Sequence, residues 1–249
     1  LKKGLLLLVA SLVSFASINS VAAEETTSDT ITNRSGVVIP IEKYNALKSI
    51  YSDNFMNYMT QDEYNKIKDK DLSKVVIKEI TDANLNSSTS TIATEHTTSS
   101  KSLRIINNGG YITMSLTWYR VPTIKKWDVM AFRKNTSVNI SNYYIFRQYY
   151  VNTSGEFKLS TEKYGQNFDN GVGATFKVQN GSDHEMELSA DFTGSGRVYG
   201  SYQHASNSKA TLADAMDYTL SGSGFGGVIL FNEAIESKFD GMGGVYLTL

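Results

Sequence analysis

Four carboxylates crowd into residues 183–191: Asp183, Glu185, Glu187 and Asp191. Two of them facing each other could act as acid and base in glycoside hydrolysis, and several together could offer oxygen ligands to calcium. Their spacing argues for something plainer. Met186, Leu188, Ala190 and Phe192 alternate with Glu185, Glu187, Ser189 and Asp191, so an acidic row on the solvent face of a strand is expected, a pattern that also discourages edge-to-edge association. His96, His184 and His204 lack the spacing that aims two imidazoles at one metal and are expected at the surface. Thr193-Gly-Ser195-Gly and Ser221-Gly-Ser223-Gly lack the glycine that precedes the serine of a nucleophile elbow by two positions. Gly224-Phe-Gly-Gly lacks the Lys and Ser or Thr of a phosphate loop. No metal and no cofactor is implied.

The aromatic residues carry more weight. Trp118, Tyr119, Trp127, Tyr143, Tyr144, Tyr149 and Tyr150 gather in one stretch. Sugar faces stack on such rings, and tyrosine hydroxyls add directional hydrogen bonds, so these seven are the candidate ligand-binding residues. Alternation along a strand also predicts that half of them fill a core.

The elements that must position these residues are strands. Ile112, Met114, Leu116 and Trp118 alternate with Thr113, Ser115 and Thr117, which predicts a half-buried strand. Pro122 breaks it, and a return strand carrying Trp127, Val129 and Ala131 is expected, making residues 111–132 a hairpin. Residues 172–193 read as a second hairpin, turning at Asn180-Gly181. Further strands are expected over residues 74–80, 103–106, 142–151, 197–203, 226–231 and 244–249, with turns at Asn107-Asn-Gly-Gly110 and in the Asp240-Gly-Met-Gly-Gly loop. Eight to ten short strands beyond residue 101, separated by Gly and Asn turns, predict an antiparallel β-sandwich, with a barrel as the alternative.

The amino-terminal third differs. Residues 1–23 combine Lys2 and Lys3, an apolar run and Val21-Ala-Ala23, the three parts of a secretory signal peptide. Residues 24–36 are polar and expected to form a loose tail. Ile41, Tyr44, Leu47, Tyr51, Phe55 and Tyr58 recur at helical spacing, and Thr60-Gln-Asp-Glu63 fits a capping box, so residues 37–83 should be a small α-rich region. Residues 84–102 read as a Ser/Thr-rich linker, and residues 103–249 as the sandwich domain. A short helix is expected after Thr211.

The 249-residue chain has no cysteine and a formal net charge of −1. Disulfides and thiol chemistry are thereby excluded, and nothing in the charge favours nucleic acid. The span from Trp118 through Pro122 to Asp128-Val129, together with Gly224-Phe-Gly-Gly-Val and Phe239-Asp-Gly-Met-Gly-Gly-Val, resembles a group of secreted β-rich proteins of Gram-positive bacteria that carries no activity to transfer. Lys125 stands where the pattern has Arg, keeping the charge and losing the planar fork. The resemblance implies secretion and a common β fold.

Three functional classes follow. The first is a secreted, non-enzymatic binding module whose partner is a glycan or a protein at a cell surface. The second is a membrane-active protein in which residues 172–203 insert as a hairpin. The third is an extracellular hydrolase acting through Glu185 and Glu187.

Overall fold

The computed structural model describes residues 29–81, 100–222 and 228–249, and within these nothing is said of the side chains of residues 142, 143 and 243. The expected signal peptide, most of the expected linker, His96 and the Gly224 motif lie outside the described residues. The elements run β1 (Thr30–Thr32), β2 (Val38–Pro40), α1 (Ile41–Lys48), α2 (Asp53–Tyr58), α3 (Gln61–Ile67), a single helical turn at Leu72–Lys74, and β3 (Val76–Thr81). Then come β4 (Lys101–Asn108), β5 (Tyr111–Trp118), β6 (Trp127–Lys134), β7 (Val138–Asn152), β8 (Phe157–Leu159), β9 (Lys163–Phe168), β10 (Gly171–Lys177), β11 (Gly181–Gly194) and β12 (Arg197–Ala205). The chain closes with α4 (Leu212–Met216), β13 (Tyr218–Leu220), β14 (Ile229–Phe231), α5 (Glu233–Glu236) and β15 (Phe239–Thr248).

Among the described residues the strands build an antiparallel sandwich, as the spacing of strands and turns predicts. One sheet has the order β3-β4-β5-β11-β7-β8, the other β15-β12-β6-β10-β9. Apolar rows cross each inner face in register: Leu103 lies opposite Leu116 and Leu116 opposite Met186, while Ile105, Met114 and Leu188 form the next row. Met130, Phe132, Val172, Ala174, Phe176 and Tyr202 meet them from the second sheet in one buried cluster. The turn between β4 and β5 uses Gly109 and Gly110, both at positive φ (61° and 93°), the geometry a two-residue hairpin demands.

Both expected long hairpins are overturned. β5 pairs with β4 and β11, whereas β6 pairs with β10 and β12, so residues 119–126 carry the chain from one sheet to the other. The segment between β10 and β11 makes the same crossing. Alternation states which face is buried but not which strand lies alongside, and a connection of a few residues spans the roughly 10 Å between sheets as readily as it makes a turn. Asp240-Gly-Met-Gly-Gly is likewise not a loop: it lies within β15, with Asp240 opposite His204.

Each outer sheet face is covered in turn. Val129, Ala131 and Tyr199 are buried under Ala215 of α4, Tyr218, Ile229 and Ile235. Tyr218 approaches β10 so closely that a Cβ at Gly173 would sit 2.0 Å from its hydroxyl oxygen. On the opposite side, Leu47, Phe55, Met56, Met59, Tyr64 and Ile67 of the α-rich segment pack with Ile106 and Tyr111 of the six-stranded sheet. Where a loose tail is expected, residues 30–32 pair with 38–40, and buried Asn33 donates to the carbonyls of Met56 (3.0 Å) and Met59 (2.8 Å). β3 pairs with β4, and Lys101 and Ser102 belong to β4 rather than to a linker. No described helix is long and apolar enough to cross a membrane.

Trp118 is 6 % exposed at the end of the inter-sheet core. Its replacement by alanine is expected to cost about 3–5 kcal/mol, read as a lowered midpoint in urea unfolding.

Candidate functional site

The acidic row of β11 is not a solvent face. Glu185 and Glu187 are buried beneath α2 and α3. Strand alternation does aim them away from Met186 and Leu188, but the helical segment seals the face they share with Arg147 and Tyr149 of β7. Glu63, the N3 residue of the capping box that starts α3, organises the seam. Its Oε2 accepts from the Thr60 backbone N–H (2.8 Å) and hydroxyl (2.9 Å). The same carboxylate receives both terminal nitrogens of Arg147, Nη1 at 2.9 Å to Oε1 and Nη2 to Oε2. Tyr111 Oη donates to Glu63 Oε1 at 3.0 Å. Glu187 Oε2 lies 3.5 Å from the same Nη1 and accepts from Tyr149 Oη at 2.6 Å. Asn54 of α2 donates to Glu185 Oε2 at 2.7 Å, and Lys66 of α3 pairs with half-buried Asp191.

Burial, reinforced by the neighbouring Glu185 charge, pushes the Glu187 carboxyl up to about 8, against the opposing pull of Arg147 and Tyr149. Burial likewise raises Glu185, with hydrogen bonds from Ser52 and Asn54 acting the other way. A raised, paired carboxyl is a common mark of a general acid. Here Glu187 is 1 % exposed and the helices cover it. The cluster joins two layers. Asp183, the remaining carboxylate of the four, is exposed beside Ser182.

A second buried polar group occupies one end of the inter-sheet core. Asp128 Oδ1 lies 2.8 Å from His204 Nδ1 and accepts from the Ala205 N–H at 3.2 Å, while Tyr202 donates to Oδ2. Trp118 meets the His204 ring edge-on with centroids 5.0 Å apart. His184 stacks on Tyr150 at 6.0 Å, and burial holds its imidazole below the usual range. Both histidines are buried, contrary to the surface expectation, because each sits on the inner face of its strand. Among the described residues no three His, Asp or Glu converge as metal ligands.

The seven candidate aromatics separate. Trp118 and Tyr149 are core residues; Tyr144 and Tyr150 are partly buried, and Tyr119 is exposed. The side chain of Tyr143 lies outside the description. Trp118 and Trp127, neighbours across a turn in the sequence reading, stand on different sheets. Trp127 instead lies on the outer face of the five-stranded sheet, half-buried, with its ring centroid 5.7 Å from that of Tyr164 on the edge strand β9. Pairing explains the meeting: Thr175 of β10 lies opposite both Val129 and Tyr164, and Lys177 lies opposite Trp127. Lys177 Nζ is 5.9 Å from the Trp127 centroid and 2.7 Å from Glu162 Oε1; Gln179 donates to Glu162 Oε2 at 3.0 Å. Those hydrogen bonds, from Lys177 first and Gln179 second, hold the Glu162 carboxyl below the usual range. Tyr164 was missed in the sequence because its strand is polar and broken by Gly165; the one signal was Tyr164, Gln166 and Phe168 at alternate positions.

With this geometry in view, comparison with known proteins finds no matching family model and no matching curated protein. Among solved structures, the chain is similar to the collagen-binding subdomain ACE19 of the Enterococcus faecalis surface protein ACE (TM-score 0.30, 9 % identity, covering 57 % of this chain and 87 % of that one). It is also similar to the collagen-binding domain of a Staphylococcus aureus adhesin (TM-score 0.27, 6 % identity, 38 % and 76 % covered). The KRT10-binding region domain of the pneumococcal serine-rich repeat protein PsrP gives a TM-score of 0.30 at 12 % identity, with 71 % and 97 % covered.

Arg147→Ala would leave Glu63 and Glu187 buried without their cation. A loss of about 3–5 kcal/mol is expected in chemical denaturation, with Arg147→Lys intermediate because it keeps charge but not the fork.

Proposed function

We propose that this protein is an extracellular, non-enzymatic binding module that engages a glycan or a protein at a cell surface through the Trp127–Tyr164 platform. The observation that carries this reading is that pair of rings, presented at the surface beside Lys177, Glu162 and Gln179. Stacking faces with hydrogen-bonding groups at their rim suit a sugar ring or a tyrosine-rich protein patch. The export signal read in residues 1–23 supports action outside the cell.

The other two classes lose their footing in the fold. The hydrolase reading needs Glu185 and Glu187 at a cleft, and both are sealed beneath the helices. The membrane reading needs residues 172–203 to peel away as one hairpin, yet they form β10, β11 and β12, which alternate between the two sheets.

The test is binding to a glycan array and to immobilised extracellular-matrix proteins. Tyr164→Ala, at an exposed position, is expected to reduce affinity about tenfold or more with an unchanged circular dichroism spectrum, and Trp127→Ala to do the same. Wild-type affinity in both folded variants would remove the platform from the binding surface.

A further inference from the structure

The seam between the helices and the six-stranded sheet holds more negative charge than its contacts balance. Glu63 of α3 and Glu185 and Glu187 of β11 are all buried there, and the cation in direct contact with Glu63 and Glu187 is Arg147 of β7. Among the described residues, Glu185 Oε1 and Glu187 Oε1 accept no hydrogen bond. The charged and titratable groups around them include Asp53 of α2 and Arg104 of β4, which act on Glu185 electrostatically, Tyr119 facing Glu185, Tyr149 beside Glu187, Tyr51 and Tyr111 near Glu63, and the Lys66–Asp191 pair at the rim. Polar attachment of helices to sheet includes Glu63–Arg147, Glu63–Tyr111, Asn54–Glu185, Ser52–Glu185 and Lys66–Asp191, together with Asn108 donating to the Tyr51 hydroxyl at 3.2 Å and Lys70 to the Gly109 carbonyl at 3.1 Å. The apolar share on the sheet side comes from Ile77, Ile106 and Tyr111, with Tyr58 of α2 packed against the rings of Tyr149 and Phe157.

We propose that α1–α3 form a proton-responsive cover over the outer face of the six-stranded sheet, firmly seated in mildly acidic solution and loosened in mildly alkaline solution. The sign follows from the burial of the carboxyls. Seating the cover withdraws Glu185 and Glu187 from water, which favours their neutral forms and raises both above the ordinary carboxyl range, Glu187 to about 8. Docking therefore takes up protons between that range and about pH 8; the seat is firmest below the window and weakens as pH climbs through it, by about tenfold per pH unit for each proton taken up. The Tyr111 and Tyr149 phenols, pushed well above their usual range by burial and by the neighbouring carboxylates, stay neutral throughout.

The methionines report on the two layers separately. Met56 and Met59 belong to the cover, whereas Met114, Met186 and Met242 lie in the inter-sheet core. In methyl-labelled protein titrated from about pH 6 to about pH 9, the Met56 and Met59 signals should move toward unfolded-chain positions while the core methionines hold still. Glu187→Gln should abolish the transition. Glu185→Gln, which removes one of the two buried carboxyls and the charge that adds to the effect of burial on Glu187, should weaken it and serves if the first variant fails to fold. Cover signals that never move, that move together with Met114, Met186 and Met242, or that titrate identically in the folded variants would overturn the proposal.

Discussion

The Glu63–Arg147 ion pair ties the helical segment to the strand framework. Glu63 already satisfies the free backbone donors at the start of α3, and the same carboxylate grips a guanidinium rising from β7. A local device of helix termination is thus also a tertiary bond. Two fixed contacts per partner orient the helix on the sheet more narrowly than apolar packing of Ile67 or Tyr64 could, because bidentate geometry tolerates little rotation. Burying such a pair does not guarantee net stabilisation. What it specifies is arrangement: only with α3 in this pose does Glu63 reach both the Arg147 guanidinium and the Tyr111 hydroxyl.

Four layers follow from that seam and its counterpart. The two sheets share an apolar interior, yet neither outer face meets water across its width, since helices cover one and the α4, β13–β14 and α5 segment covers the other. This explains the double-sided burial of β6, with Met130 and Phe132 facing inward and Val129 and Ala131 facing the outer cluster. Surface chemistry is thereby pushed to the sheet margins. Tyr164 sits at such a margin, on the edge strand β9, and its ring meets that of Trp127 at the start of the central strand β6.

The polar clusters illustrate how burial changes the meaning of a residue type. Glu187 beside Arg147 and Tyr149, and Asp128 beside His204 and Tyr202, have the ingredients of acid–base sites. Both are enclosed and make their contacts with the protein itself. A carboxyl with a raised proton affinity is a consequence of desolvation wherever it occurs, and in the seam that consequence concerns how layers are held together rather than how a bond is broken.

By itself the sequence determined the fold class, the capping box at Thr60, the glycine turn after Asn108 and the inward rows of β5, β10 and β11, because these depend on local periodicity and on backbone conformations open to few residues. Strand partners were not legible: Trp118 and Trp127 sit either side of one connection, and a turn and a sheet crossing look alike in composition. Nor could the Glu185–Glu187 row disclose its cover. Alternation assigns a side chain to one of two faces, but whether that face meets water depends on a segment more than a hundred residues away in the chain. Only the tertiary structure brings Glu63 to Arg147 and Tyr164 to Trp127, since each meeting is fixed by long-range packing that no local pattern encodes.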